Sequence, residues 1–140
     1  MLPFTDGIVR VYENFDFFDR AFFVDKTILA SNKQEAINAM LDENYLFSKR
    51  AVIEGATDRE LFNSSWDLGR IDVRQYLANK IILETKTNKP GFLVLTDSFY
   101  PTWHARIDGK ETKIYLTDFN FRGVIVPTGS HVVEFYITLY

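Results

Sequence analysis

Three aspartates stand near predicted strand ends, where a pair of carboxylates could do acid–base chemistry. They are Asp97, Asp108 and Asp118. Hydrolysis of a glycosidic bond needs two carboxyl groups that face each other at about 5 to 9 Å. Turn and cap roles explain each aspartate without such a pair, and Asp108 has a turn role already because Gly109 follows it. We therefore predict no catalytic carboxylate pair, and a self-contained hydrolase is the weakest of the functions considered.

Serine and histidine could supply a nucleophile and its base. Ser64, Ser65 and Ser98 lack a G-x-S-x-G setting, and His131 follows a turn with no sequence link to them. The chain has two histidines and no cysteine, so a metal site built on these residues has little support. A glycine-rich phosphate loop is missing as well. The sequence predicts no catalytic residue, no metal and no cofactor.

Arg122 is the residue whose neighbours point most strongly to binding. It stands where the strand pattern of FRGVIV begins, close in sequence to Phe119 and Tyr115. A guanidinium among rings can stack on them or hold a ligand carboxylate. The alternative is that Arg122 pairs with Asp97 or Asp118 and fixes a corner of the fold.

The stretch DSFYPTWHARIDGKE, residues 97–111, combines rings, a histidine, a proline and an Asp-Gly pair. Asp-Gly is the strongest signal for a two-residue type I′ turn. Trp103 should then face inward as a core ring rather than a sugar platform, and His104 should face outward. The predicted register opposes Ile107 to Lys110, Arg106 to Glu111 (an outward pair), Ala105 to Thr112, His104 to Lys113, and Trp103 to Ile114.

The elements that must position these residues are mostly strands. Alternating apolar residues predict two early strands, at 8–13 and 20–29, and RAVIEG predicts a third at 50–55. Turn residues then recur at the spacing expected of an antiparallel sandwich. The later strands are predicted at 70–78, 80–87, 91–96, 103–107, 112–116, 122–126 and 131–139.

One short α-helix is predicted near residues 32–41. Ser31 should be its N-cap, because Gln34 stands in capping-box register with it. The apolar face of the helix consists of Ala36, Ile37, Met40 and Leu41. No βαβ alternation, internal repeat or linker is visible, so residues 1–140 are predicted to form a single, mainly β domain, an antiparallel two-layer β-sandwich of the jelly-roll type.

Composition limits the partners. The chain of 140 residues is 46% hydrophobic and 16% aromatic, with a net charge of -3 and a pI near 5.4. Such a chain has no basic surface for nucleic acid, so no nucleic-acid partner is predicted. No apolar run approaches 18 residues and residues 1–10 lack the features of a signal peptide, so this chain is predicted neither to insert in a membrane nor to export itself.

Three stretches carry a resemblance. They are RVYENFDFFDRAFFV (10–24), PGFLVLTDSFYPTWHARIDGKETKIYLTDFNFRGVIVPTGSHVVEF (90–135) and, more weakly, NKQEAINAML (32–41). These stretches resemble the C-terminal soluble domain of YfhO-type bacterial membrane proteins. The combination of Y-P-x-W, D-G-K and F-R-G-V-x-V-P-x-G-x-H in this order is fairly specific. The matching residues are Tyr100, Pro101, Trp103, Asp108, Gly109, Phe121, Arg122, Pro127, Gly129 and His131.

The resemblance implies a location and partners. Such proteins are multi-pass and similar to glycosyltransferases of the C superfamily, which move sugars from polyprenyl-phosphate carriers to acceptors outside the membrane. The soluble domain follows the transmembrane bundle and often precedes a last transmembrane helix, which would be expected after EFYITLY. The implied domain is extracytoplasmic and tethered to the cell membrane. Its implied partners are the transmembrane part of the same polypeptide and a cell-envelope glycan.

Catalysis in such transferases is expected of an acidic residue within the membrane part, so no catalytic residue carries over. Thr102 replaces the usual glycine and His104 the usual lysine, so a role that needs a cation at position 104 does not carry over either. Phe18 and Asp19 replace the usual Leu-Pro pair.

Two functional hypotheses follow. The first is a noncatalytic accessory domain of a YfhO-like membrane protein, which supports the bundle or the acceptor glycan. The second is a carbohydrate-binding module that uses outward rings such as Tyr100, Tyr115, Phe119 or Tyr136. Both share one predicted glycan or packing site: Tyr100, Trp103, His104, Tyr115, Phe119 and Arg122.

Overall fold

The computed structural model describes residues 20–42, 49–62, 65–96, 102–118 and 120–137. These residues form two β-sheets, one α-helix (α1, Lys33–Met40) and one short 3-10 helix (Arg59–Phe62). Sheet A contains β1 (Ala21–Val24), β2 (Lys26–Ala30), β3 (Arg50–Glu54), β6 (Gly91–Leu95), β9 (Tyr115–Thr117) and β10 (Phe121–Val126). Sheet B contains β4 (Arg70–Leu77), β5 (Lys80–Thr87), β7 (Trp103–Ile107), β8 (Lys110–Thr112) and β11 (Gly129–Ile137).

The mainly β, two-sheet prediction is confirmed for the described residues. The predicted strand at 8–13 lies outside them, and a single domain over residues 1–140 stays a prediction. No helix in the described part of the chain is both long and apolar enough to cross a bilayer.

Sheet A curls back on itself. Its strand order is β1-β6-β10-β9-β3-β2, so β1 and β2 occupy opposite edges. Only Asp25 separates these two strands in sequence. Since one residue spans only a few ångströms, the two edges of sheet A must meet at Asp25. The single strand predicted at 20–29 is therefore wrong, because the chain leaves one edge of the sheet and joins the other at this residue.

One strand pair departs from the predicted antiparallel arrangement. β2 and β3 are parallel, from Lys26 opposite Arg50 to Ala30 opposite Glu54. A parallel pair needs a crossover connection, and α1 provides it, so β2, α1 and β3 form the βαβ unit that the sequence did not indicate. Every other strand pairing among the described residues is antiparallel.

β6 is buried on both faces, and all its residues are buried. Leu93 and Leu95 lie in the core between sheets A and B. Phe92 and Val94 lie in a second core, enclosed by the curl of sheet A. The uninterrupted apolar run of β6 follows from this position, since neither face of the strand meets water.

Gly123 lets the sheet close around Phe92. A Cβ atom at position 123 would lie 2.5 Å from Phe92 Cζ and 2.5 Å from Thr117 Oγ1. We expect Gly123→Ala to lower the free energy of unfolding by about 1–3 kcal/mol, as other overpacked cores do. Urea denaturation measures this loss. If the crowding is real, Phe92→Leu made in the same chain should reduce the cost of Gly123→Ala, and an undiminished cost would contradict it.

α1 confirms the predicted helix with a shifted cap. The N-cap is Asn32, whose side chain accepts a hydrogen bond from the Glu35 backbone N–H at 2.9 Å. Glu35 Oε1 in turn accepts from the Ser31 backbone N–H at 2.8 Å. The N-cap therefore lies one residue later than predicted, and the Glu35 carboxylate binds the N–H of the residue before it, so Ser31 and Gln34 do not have the roles assigned to them. Leu41, predicted on the buried face, is 76% exposed because the helix ends before it.

The β7–β8 hairpin has the predicted turn. Asp108 and Gly109 have φ angles of 52° and 85°, as a type I′ turn requires. The register is confirmed from Ile107 opposite Lys110 to Ala105 opposite Thr112. The two further pairs predicted, His104 with Lys113 and Trp103 with Ile114, do not form, because β8 ends at Thr112 and the chain passes to sheet A. The strand predicted at 112–116 is thus two strands in different sheets.

Candidate functional site

The predicted site residues lie in different parts of the fold. Trp103 and Arg122 meet between the two sheets. His104 lies on the outer face of sheet B. Tyr115, expected as an outward ring, is instead 5% exposed and points into the core of sheet A. The structure therefore brings one pair of these residues together and separates the others from it. The remaining two, Tyr100 and Phe119, lie outside the described residues.

Arg122 is a buried cation that stacks on aromatic rings. It is 2% exposed, and its Cζ atom lies 4.0 Å from the centre of the Trp103 ring and 5.7 Å from that of Phe135. The guanidinium thus sits between β10 of sheet A and two strands of sheet B. Stacking on rings was one of the alternatives considered for Arg122, and the rings it stacks on come from the opposite sheet rather than from residues adjacent in sequence.

Asp118 closes the curl of sheet A through the backbone of β3. Its Oδ1 atom accepts a hydrogen bond from the Val52 N–H at 2.9 Å, and its own N–H donates to the Val52 carbonyl at 2.7 Å. Its φ angle of 48° turns the chain after β9 so that both contacts can form. This buried aspartate holds two segments together, which agrees with the predicted turn or cap role.

Tyr115 and Lys113 connect β9 to the segment before the 3-10 helix through Asp58. The Tyr115 hydroxyl donates to Asp58 Oδ2 at 2.6 Å, and Lys113 Nζ lies 3.2 Å from each carboxylate oxygen. Burial, then the hydrogen bond to Asp58 and the charges of Asp58 and Glu60, raise the pKa of Tyr115 well above its ordinary value. The hydrogen bonds from Tyr115 and Lys113 lower the pKa of Asp58. The hydroxyl is therefore held in its neutral, donating form.

On the outer face of sheet B, Tyr136 lies between two neighbours on β7. It opposes His104 in the register, and their rings stack at 5.4 Å. Its hydroxyl donates to Glu111, a contact that raises the pKa of Tyr136, and the Arg106 Cζ atom lies 4.0 Å from its ring centre. A ring contacted in this way offers little free face to a sugar. Arg106, expected to pair with Glu111, instead has its Nε atom 3.5 Å from Glu134 Oε1.

His131 and Asp108 form a contact that sequence reasoning missed. His131 Nδ1 lies 2.5 Å from Asp108 Oδ2, and its Nε2 lies 3.0 Å from the Thr128 carbonyl. Asp108 Oδ1 also accepts from the Val132 N–H at 2.9 Å. These bonds fix the hairpin turn to the start of β11. With both ring nitrogens engaged, His131 is not poised to take a proton from a serine.

The His131–Asp108 pair should make stability depend on pH. The hydrogen bond to Asp108, followed by that to Thr128, raises the pKa of His131 above its usual 6.5. The stabilisation from a raised histidine pKa is complete below about pH 6.5 and is lost as the pH rises through the folded-state pKa. The pKa of Asp108 is lowered by its hydrogen bond from His131, then by that from Val132, so its contribution is present above the usual 3.8 and lost at lower pH.

We expect the urea midpoint of the native chain to exceed that of His131→Gln at about pH 6, and the difference to shrink by about pH 9. The difference in the free energy of unfolding between the two chains should stay within about 1 kcal/mol, because the His131–Asp108 pair is partly exposed. His104→Gln, the same change at the other histidine of the chain, is the matched control. A His131→Gln curve parallel to the native one over this range would contradict the prediction.

An open groove of about 420 Å³ lies beside this pair, lined by side chains of β4, β5 and β11. Charged groups dominate its walls. A second groove, lined mainly by apolar residues, runs along β1 near Leu68 and Ile71. Among the described residues no group of three histidine, cysteine, aspartate or glutamate side chains is placed to hold a metal ion.

Comparisons of the whole chain with models of protein families, with curated proteins and with solved structures found no match.

Proposed function

We propose that this chain is a noncatalytic extracytoplasmic accessory domain of a YfhO-type membrane protein of the glycosyltransferase kind. In this role the domain supports the membrane bundle or the acceptor glycan. The proposal rests on the resemblance in sequence and on what the resembling residues do in the fold.

One observation supports the proposal most directly. The motifs that carry the resemblance contact one another in pairs. Trp103 of Y-P-x-W packs against Arg122 of F-R-G at 4.0 Å. Asp108 of D-G-K binds His131 of P-x-G-x-H. Each pair joins segments that are distant in sequence, so these residues act by fixing the shape of the domain.

A fixed shape suits an accessory domain. Its outer sheet B face carries Tyr136 held by Arg106, with Lys80 and Arg106 both close to the Glu134 carboxylate. Side chains held by several neighbours lose little further entropy when a partner binds, so such a face is suited to recognition of a rigid partner. A carbohydrate-binding module in its own right would use an exposed ring face, and Tyr136 is contacted by His104 and Arg106.

Three experiments test the proposal. The native reading frame should encode a series of apolar spans upstream of this domain, and a frame without them would contradict the membrane role. In that full-length protein, deletion of residues 20–137 should strongly reduce sugar transfer while the membrane part still accumulates. Full transfer after the deletion would contradict an accessory role, and transfer by the isolated 140-residue chain would contradict a noncatalytic one. The surface change Lys26→Gln in the full-length protein is the matched control.

A further inference from the structure

Two cations and a hydroxyl stand in one row across the outer face of sheet B, at the charged groove. Arg70 of β4 lies directly opposite Lys86 of β5, and Lys86 lies directly opposite Ser130 of β11. All three are exposed and line the groove. Directly opposed residues of an antiparallel pair project their side chains to the same face, and like charges in that position repel each other.

The backbone fixes this arrangement. A Cβ atom at Gly69 would lie 2.4 Å from the Lys86 carbonyl oxygen, so only glycine lets the chain enter β4 this close to β5. The residue that follows, Arg70, is thereby held opposite Lys86. Neither cation has a carboxylate within ion-pair distance in the described part of the chain, and the neighbouring Glu84 is bound by Arg74 at 3.1 Å.

The adjoining positions differ in chemistry. Asp72 and Glu84, also directly opposed, form the next row of the groove. Carboxylates accept hydrogen bonds from hydroxyl groups. Val132 beside them is 42% exposed and offers an apolar surface. The groove thus has two cations at one end, which attract an anion. Next to them are two carboxylates, which can accept hydrogen bonds from the hydroxyl groups of a ligand, and the apolar side chain of Val132.

We propose that this groove binds an oxyanion, carboxylate or phosphate, carried by a small hydroxylated molecule or by a repeating unit of a polymer. Arg70 and Lys86 neutralise the anion, and the Ser130 hydroxyl donates to it. Bound anion removes the repulsion between the two cations, which an empty groove retains. The inference goes beyond the accessory role proposed above and stands without it, since it depends only on this surface.

NMR titration of the 140-residue chain tests the proposal. Glucuronate and glycerol phosphate present the two kinds of oxyanion on hydroxylated carriers, and glucose is the neutral comparison. We expect amide shifts at Lys86, Ser130 and Val132 with at least one of the two anions and much smaller ones with glucose. The stronger of the two anions identifies the oxyanion that the groove prefers.

Two variants and a control separate this site from general attraction to anions. Lys86→Glu should weaken binding at least about tenfold, the loss expected for a charge-assisted contact. Arg70→Gln should weaken binding similarly, while Lys26→Gln, on an edge strand of sheet A, should leave it unchanged.

Three results would overturn the proposal. The first is the absence of shifts with both anions at concentrations of tens of millimolar. The second is equal shifts with glucose and with the anions. The third is undiminished binding by Lys86→Glu when its amide spectrum outside the groove shows that the fold is retained.

Discussion

Replacing Arg122 with alanine is expected to lower the free energy of unfolding by about 3–5 kcal/mol, among the largest effects of any single change in this chain. The guanidinium is 2% exposed and stacks at 4.0 Å on Trp103. Its removal leaves a cavity between the two sheets and deletes a desolvated cation–π contact. Urea denaturation followed by circular dichroism measures the loss.

Arg106 provides a matched control on the outer face of sheet B. Its Cζ atom lies at the same 4.0 Å from an aromatic ring, that of Tyr136, but its side chain is 37% exposed. Water screens the contact of Arg106 with Tyr136 and can fill the space that its side chain would leave. Arg106→Ala should therefore lower the free energy of unfolding by about 1 kcal/mol or less. Similar losses of unfolding free energy for the two alanine variants would contradict the expectation that burial between the sheets makes Arg122 the more stabilising residue.

Phe92→Ala is also expected to lower the free energy of unfolding by about 3–5 kcal/mol. Phe92 is fully buried in the core of sheet A, with its ring centre 5.8 Å from that of Trp66 and 6.2 Å from that of Tyr115. Its removal leaves a cavity that these rings cannot easily refill. The same chemical change at Phe62, which is 66% exposed, should stay within about 0.5 kcal/mol. Equal losses at positions 92 and 62 would contradict a packed core inside the curl.

Most strands could be predicted from the sequence because their alternation is local. β5 and β7 have the predicted bounds, and the Asp108-Gly109 turn has the predicted conformation. The curl of sheet A could not be predicted. It depends on β1 pairing with β6 while β2 pairs with β3, and no local pattern around Asp25 reports such distant pairings.

The contacts of individual side chains were harder to predict for a related reason. The hairpin register placed Arg106 opposite Glu111, as the structure has it. A third strand, β11, then supplies Glu134, which pairs with Arg106, and Tyr136, which donates a hydrogen bond to Glu111. His131 was missed because its partner lies 23 residues away and becomes a neighbour only when β11 pairs with β7. A two-strand prediction cannot anticipate what the next strand contributes.

The residues of the resembling motifs act by holding distant segments of the domain together, and the pair of Trp103 and Arg122 joins the two sheets. A double-mutant cycle between Trp103 and Arg122 tests it most directly. Trp103→Leu and Arg122→Met retain apolar bulk, so both single variants and the double variant can be compared by urea denaturation. We expect a coupling free energy of about 1–2 kcal/mol. Losses that simply add, with no coupling between the two positions, would contradict the claim.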